Sequence, residues 1–181
     1  TFNHHNRTVT FNGTSQSITS EETNFGYLVV ASNLTISSAE LIKIENNLTI
    51  NSGKKLTIGS TSMLTVNGNI INSAGETGLV INSDEFGTGS LINSTASVPA
   101  TVQRYLTSYV VVPDKMFHFL SSPMVAQPIR PEFVGGTGSE TIPTGTDFYS
   151  FSESENMWIN SRATDNVWNA DFESNFEVGK G

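Results

Sequence analysis

An apolar–threonine–apolar triplet recurs through the first half of the chain: Leu34-Thr35-Ile36, Leu48-Thr49-Ile50, Leu56-Thr57-Ile58 and Leu64-Thr65-Val66, with Leu79-Val80-Ile81 as a variant. Successive side chains of an extended strand face opposite ways, so the outer two residues of each triplet share one side and the central residue takes the other. The triplets also repeat at a longer period. Leu34 to Leu56 is 22 positions, Leu56 to Leu79 is 23, and Ile42 to Leu64 and Ile44 to Val66 are 22 each. One such rung cannot bury its own apolar side. Rungs stacked at the ~4.8 Å strand spacing join theirs into a continuous column. Three short strands per coil, separated by polar corners, predict a right-handed parallel β-helix with rungs of about 22 residues.

The regular rungs cover residues 33–97 and residues 1–32 read as the first coil, which places a β-helix over 1–97. Val9-Thr10-Phe11 lies 25 positions before Leu34-Thr35-Ile36 and reads as the rung beneath it. The run Phe25–Val30 is apolar on both alternating sides, which predicts a second covering layer there. Ile50, Ile71 and Ile92 are spaced by 21, and each precedes Asn-Ser, so Asn51, Asn72 and Asn93 are expected to stack as an asparagine ladder. Gly53, Gly59, Gly68 and Gly75 read as corners with φ > 0. The sequons at Asn6, Asn12, Asn33, Asn47 and Asn93 are either glycosylation sites or corners rich in Asn and Thr. Thr35 is expected over Thr57, but Val80 interrupts the row, which disfavours the regular threonine array of an ice-binding surface.

The repeat fades near Val98-Pro99. Beyond it, strands are predicted at Thr101–Leu106, Met116–Leu120, Phe148–Phe151 and Met157–Ile159, with a turn-rich stretch over 123–145. This pattern predicts an antiparallel β-sandwich or jelly-roll-like domain over 98–181, placed to cover the open end of the coil. Thr1-Phe2-Asn3 reads as mid-structure and Phe176–Gly181 as an interrupted strand, so the sequence reads as a piece of a longer protein.

Composition narrows the function. The 181 residues are 36% hydrophobic and 14% charged, which argues for folded structure rather than disorder. A net charge of −8 repels nucleic acid and anionic membrane surfaces. No apolar run approaches the ~20 residues of a membrane span, so no membrane insertion is expected. With no cysteine, disulfides and thiolate metal sites are excluded.

A series of motifs then appears in a characteristic order: Phe11-Asn12-Gly13 with Gln16-Ser17-Ile18, the Leu-Thr-Ile rungs, Gly89-Ser90-Leu91, Val102-Gln103-Arg104-Tyr105, Phe117–Pro123, Asp147–Phe151, Trp158 and Gly179-Lys180-Gly181. This order resembles large surface proteins of Bacteroidetes, of the adhesin kind, exported by the type IX secretion system. The resemblance spans nearly the whole chain and implies a secreted or outer-surface location. It supplies no catalytic residues. Phe117 stands where those proteins often carry Trp, and the signal peptide and sorting domain they usually carry are not in this sequence.

Residue chemistry gives little support to catalysis. Neither Gly138-Ser139-Glu140 nor Gly89-Ser90-Leu91 matches a nucleophile elbow. His118, between apolar neighbours, reads as structural, and His4-His5 diverge if on a strand. A β-helix polysaccharide lyase needs acidic calcium ligands beside a basic residue. Residues 33–97 offer Glu40, Glu45, Glu76, Asp84 and Glu85 with Lys43, Lys54 and Lys55, and only Lys43 and Glu45 are expected to share a face. Hard oxygen ligands suited to calcium occur at Asp165, Asp171 and Glu173, with Asn166, Glu153, Glu155 and Asn156 nearby. They are a calcium site or a solvated loop. Trp158, Trp168, Tyr149 and Phe172 form a sugar-binding face or pack a sandwich core. Trp158, beside Met157 and Ile159, is expected to be buried; Trp168, among polar residues, is expected to be exposed and, with Tyr149 and Asn166, to meet a ligand. The expected function is a non-catalytic structural and adhesive segment of a secreted or cell-surface bacterial protein, binding a surface glycan or protein. A glycan-binding module of a polysaccharide-degrading system is the alternative, and a lyase the third.

Overall fold

A computed structural model describes residues 5–19, 22–106, 119–129, 149–160 and 175–176 and forms two compact units, Thr1–Met116 and Phe117–Gly181. In the first unit the chain visits three sheets in rotation over four coils. The first coil comprises β1 (Thr8–Phe11), β2 (Gln16–Ile18) and β3 (Thr23–Phe25). The second has β4 (Tyr27–Val30), β5 (Leu34–Ile36) and β6 (Leu41–Ile44), and the third β7 (Leu48–Ile50), β8 (Leu56–Ile58) and β9 (Met63–Val66). The fourth runs through β10 (Ile70–Asn72), β11 (Leu79–Ile81), an antiparallel hairpin of β12 (Ser83–Asp84) and β13 (Gly87–Thr88), and β14 (Ser90–Asn93). Finally β15 (Thr101–Val102) pairs with β11. Parallel stacking gives the sheets β1-β4-β7-β10, β2-β5-β8-β11-β15 and β3-β6-β9-β14. The unit is a β-solenoid of about four turns. It continues past Val98, where the sequence repeat fades.

Strand alternation builds the core. Leu34, Leu56 and Leu79 stack in register, with Ile36, Ile58 and Ile81 beside them, and all six are buried. The other two sheets add Leu28 and Leu48 with Val30 and Ile50, and Ile42 and Leu64 with Ile44 and Val66. Between the inward columns of the second sheet, Thr35 lies over Thr57 and Val80 follows, as the spacing predicts.

Other expectations are corrected. Val9 pairs with Leu28 and Phe11 with Val30, whereas Leu34 pairs with Gln16, so residues 9–11 and 34–36 belong to different sheets. The run Phe25–Val30 is not one two-sided strand. The chain changes sheets at Gly26, so Phe25, Leu28 and Val30 all enter one core and no covering layer is required. Gly53 and Gly75 do have positive φ, 69° and 71°, but Gly59 and Gly68 do not.

The asparagine ladder is also absent. Ile71 stacks on Thr49 and Asn72 on Ile50, while Asn93 stacks on Val66 in another sheet. The 21-residue spacing of Ile50, Ile71 and Ile92 was one residue short of the structural register of the β7–β10 pair, and a one-residue slip exchanges the two faces of a strand. Ile71 and Ile92 are therefore exposed, and Asn72 and Asn93 take the inward positions. Both sit at the ends of apolar columns. Asn72 fits its place: its Oδ1 accepts from Ala74 N at 3.0 Å, and its Nδ2 donates to Gly75 O and Pro99 O at 2.8 Å each. The coil-to-coil amide bonds lie instead at other corners. Asn33 Oδ1 accepts from Lys55 N, Asn47 Oδ1 accepts from Asn69 N, and Asn67 Nδ2 donates to Glu45 Oε2.

Asn93 differs from Asn72, because its Oδ1 is buried without a protein partner. A buried carbonyl loses its water and gains nothing in return. Asn93→Val is expected to stabilise the solenoid by about 1 kcal/mol and to raise Tm by about 2–4 °C. A lower Tm in calorimetry would contradict this.

The β12–β13 hairpin is an insertion between the second and third sheets, which is why Leu91 follows its stacking partner Leu64 by more than the usual rung length. Asp84 anchors it, accepting from Ser60 Oγ at 2.6 Å and from Phe86 N at 2.8 Å. The Ser60 hydroxyl, followed by the Phe86 amide, holds the carboxyl below its ordinary value of 3.8. The folded pKa is thus lower than the unfolded one. The contribution of Asp84 is present above the unfolded pKa and is lost as pH falls through the folded value. The protection of the Phe86 amide, measured against its intrinsic exchange rate at each pH, is expected to fall on acidification below pH 3.8, and Asp84→Asn is expected to remove that dependence.

Candidate functional site

In the second unit, β16 (Tyr149–Ser152) and β17 (Met157–Asn160) pair antiparallel across the turn Glu153–Asn156. Both strands lie close to their predicted spans. Asn156 has a φ of 51°, a left-handed conformation that asparagine tolerates well in turns. The register sets Phe151 opposite Trp158 and Tyr149 opposite Asn160. Directly opposed residues share a face, as do residues two apart on one strand. Tyr149, Phe151 and Trp158 therefore project from the same face. The Phe151 and Trp158 rings meet edge-to-face, with centroids 5.4 Å apart and planes at 64°.

These rings are not buried. Tyr149 is 38%, Phe151 42% and Trp158 55% exposed. The expectation that Trp158 would be buried is thereby overturned. Adjacent positions of a strand face opposite ways, so an apolar neighbour in the sequence carries no information about the face that Trp158 occupies. Glu153 and Glu155, both exposed, make the turn end of the hairpin acidic. Phe151 was missed as a site residue. The signal was the alternation Tyr149-Ser150-Phe151-Ser152, which places both aromatics on one side.

Of the residues expected to bind a ligand, Tyr149 is on this face, whereas Trp168 and Asn166 lie outside the described residues. So do the calcium candidates Asp165, Asp171 and Glu173, along with Phe172, His118, His4 and residues 138–140. Among the described residues no group of three or more His, Asp or Glu side chains is placed to hold a metal ion. Lys43 and Glu45 do share a face, and they form an ion pair at 2.9 Å. Both are about one-third exposed, so the pair contributes little, about 0–1 kcal/mol. Among the described residues no helix is long and apolar enough to cross a membrane.

The aromatic face combines apolar area with polar groups at its margin, the combination that non-covalent recognition sites use. Comparison with protein-family models, curated proteins and solved structures gives no match.

Proposed function

We propose that this chain is a non-catalytic adhesive segment of a secreted or cell-surface bacterial protein, of the kind that Bacteroidetes export through type IX secretion. In this reading the solenoid is right-handed, as crossovers between parallel strands of one sheet nearly always are. It serves as a stiff scaffold, and an antiparallel β-sandwich follows it and meets the ligand. The supporting observation is the exposure of Tyr149, Phe151 and Trp158 on one side of the β16–β17 hairpin. Aromatic side chains of this size usually contribute most to stability when buried, so three exposed together favour a role in recognition.

The test is attachment of beads carrying the chain to glycan-coated and bacterial surfaces. Beads with the unaltered chain are expected to attach, and beads with Trp158→Ala are not. Because Trp158 is half-exposed, that substitution is expected to cost about 1 kcal/mol of stability, close to the loss of one aromatic pair. Equal attachment by both chains would count against the proposal.

The same aromatic face supports a second reading, a glycan-binding module of a polysaccharide-degrading system. Capture of soluble chain fragments, without attachment to cells, would favour it. A polysaccharide lyase stands third. It would require the chain to release unsaturated sugar products, and Lys43, its nearest basic candidate, is already paired with Glu45.

A further inference from the structure

We infer that the ligand of the β16–β17 face is a neutral, non-crystalline glycan that lays one pyranose ring against Trp158; this rests on the reading of that hairpin as the recognition site of the chain. The C–H bonds on the flat side of a pyranose are apolar and slightly positive, and an indole face is apolar and negative, so the two attract as they shed water. Trp158 leaves 55% of its surface open to such a ring. Tyr149 lies two residues from Phe151 on the same strand face, ~7 Å further along, and extends the aromatic surface.

Ring geometry selects the physical form of the sugar. The planes of Phe151 and Trp158 stand at 64°, so the two rings do not form a flat shelf. A crystalline polymer surface needs coplanar rings to rest on. An angled pair receives a single sugar ring or the bend of a soluble chain. Charge selects its chemistry. Glu153 and Glu155 are exposed at the turn next to the pair, and the chain as a whole carries −8, so uronate- or sulfate-bearing glycans are repelled.

The test is calorimetric titration of the full chain with cellohexaose, mannohexaose, xylohexaose and laminarihexaose, beside an oligogalacturonate of equal length, and co-sedimentation with insoluble cellulose. At least one neutral hexaose is expected to bind, the oligogalacturonate is not, and the chain is expected to stay in the supernatant above cellulose. Trp158→Ala and Phe151→Ala are each expected to weaken binding at least tenfold, with Trp158→Phe losing less than Trp158→Ala. Phe86→Ala, an exposed aromatic of the solenoid, is expected to leave affinity unchanged. Circular dichroism and Tm establish that each variant is folded, and Phe151→Ala carries the test if Trp158→Ala is not. Binding of the oligogalacturonate alone, retention on cellulose alone, or affinity indifferent to both aromatic substitutions would overturn the inference. If no sugar binds but Trp158→Ala abolishes bead attachment, the ligand is a protein. The sugar inference then fails while the adhesive reading stands. If attachment is also unchanged, both fail.

Discussion

Leu56→Ala is expected to destabilise the solenoid by about 2–5 kcal/mol, the range for truncating a fully buried leucine. Leu56 is 0% exposed and sits in the middle of a column, with Leu34 on one side and Leu79 on the other. Its backbone is held between coils by parallel pairing on both sides, so the walls of the resulting cavity cannot close without breaking strand register. That places the cost toward the upper part of the range. The same truncation at Ile18, on the end strand β2 and 6% exposed, has a coil on one side only among the described residues and is expected to cost less. Urea unfolding with an unchanged slope measures both. Equal costs at Leu56 and Ile18 would mean that stacking does not confine the core as described.

Gly68→Ala is expected to cost about 3 kcal/mol, at the upper end of overpacking. A Cβ at Gly68 would lie 2.5 Å from both the carbonyl carbon and the oxygen of Asn46, and 2.7 Å from Asn47 Oδ1. The obstacle is backbone of the neighbouring coil, which cannot rotate aside as a side chain would. Gly68 N also donates to Asn46 O at 3.1 Å, and Asn47 Oδ1 accepts from Asn69 N at 3.0 Å, so moving the coils apart weakens both bonds. Gly53 is the counter-example. Its φ is 69° and nothing lies within 4 Å of a Cβ built there, so Gly53→Ala meets only the left-handed backbone penalty, about 1 kcal/mol. If Gly68→Ala proved no worse than Gly53→Ala, coil spacing would be more elastic than these distances allow.

The candidate site was partly legible. Both strands of its hairpin are legible as short aromatic and apolar runs, and Tyr149 is among the residues expected to meet a ligand. The partnership of Phe151 with Trp158 was not, because it depends on which residues the turn Glu153–Asn156 sets opposite each other. Nor was the exposure of Trp158. A strand sequence states which residues share a side, and only the rest of the fold states whether that side is covered.

The same division runs through the solenoid. The sequence by itself determined the period and the inward side of each regular triplet, since alternation is dictated by the strand and 22-residue steps bring like triplets together. The column of Leu34, Leu56 and Leu79 was therefore predictable from the recurring triplet, at steps of 22 and 23 residues. Tertiary structure decided what happens where the steps change length. It aligned Ile70, not Ile71, with the Leu-Thr-Ile triplet below, turning Asn72 inward and Ile71 outward. It separated glycines needed for a left-handed turn, such as Gly53, from those needed for the approach of another coil, such as Gly68. The physical reason is that a corner has no periodicity of its own. Its length sets the register of the next strand, and that register is chosen by the coil already in place beneath it.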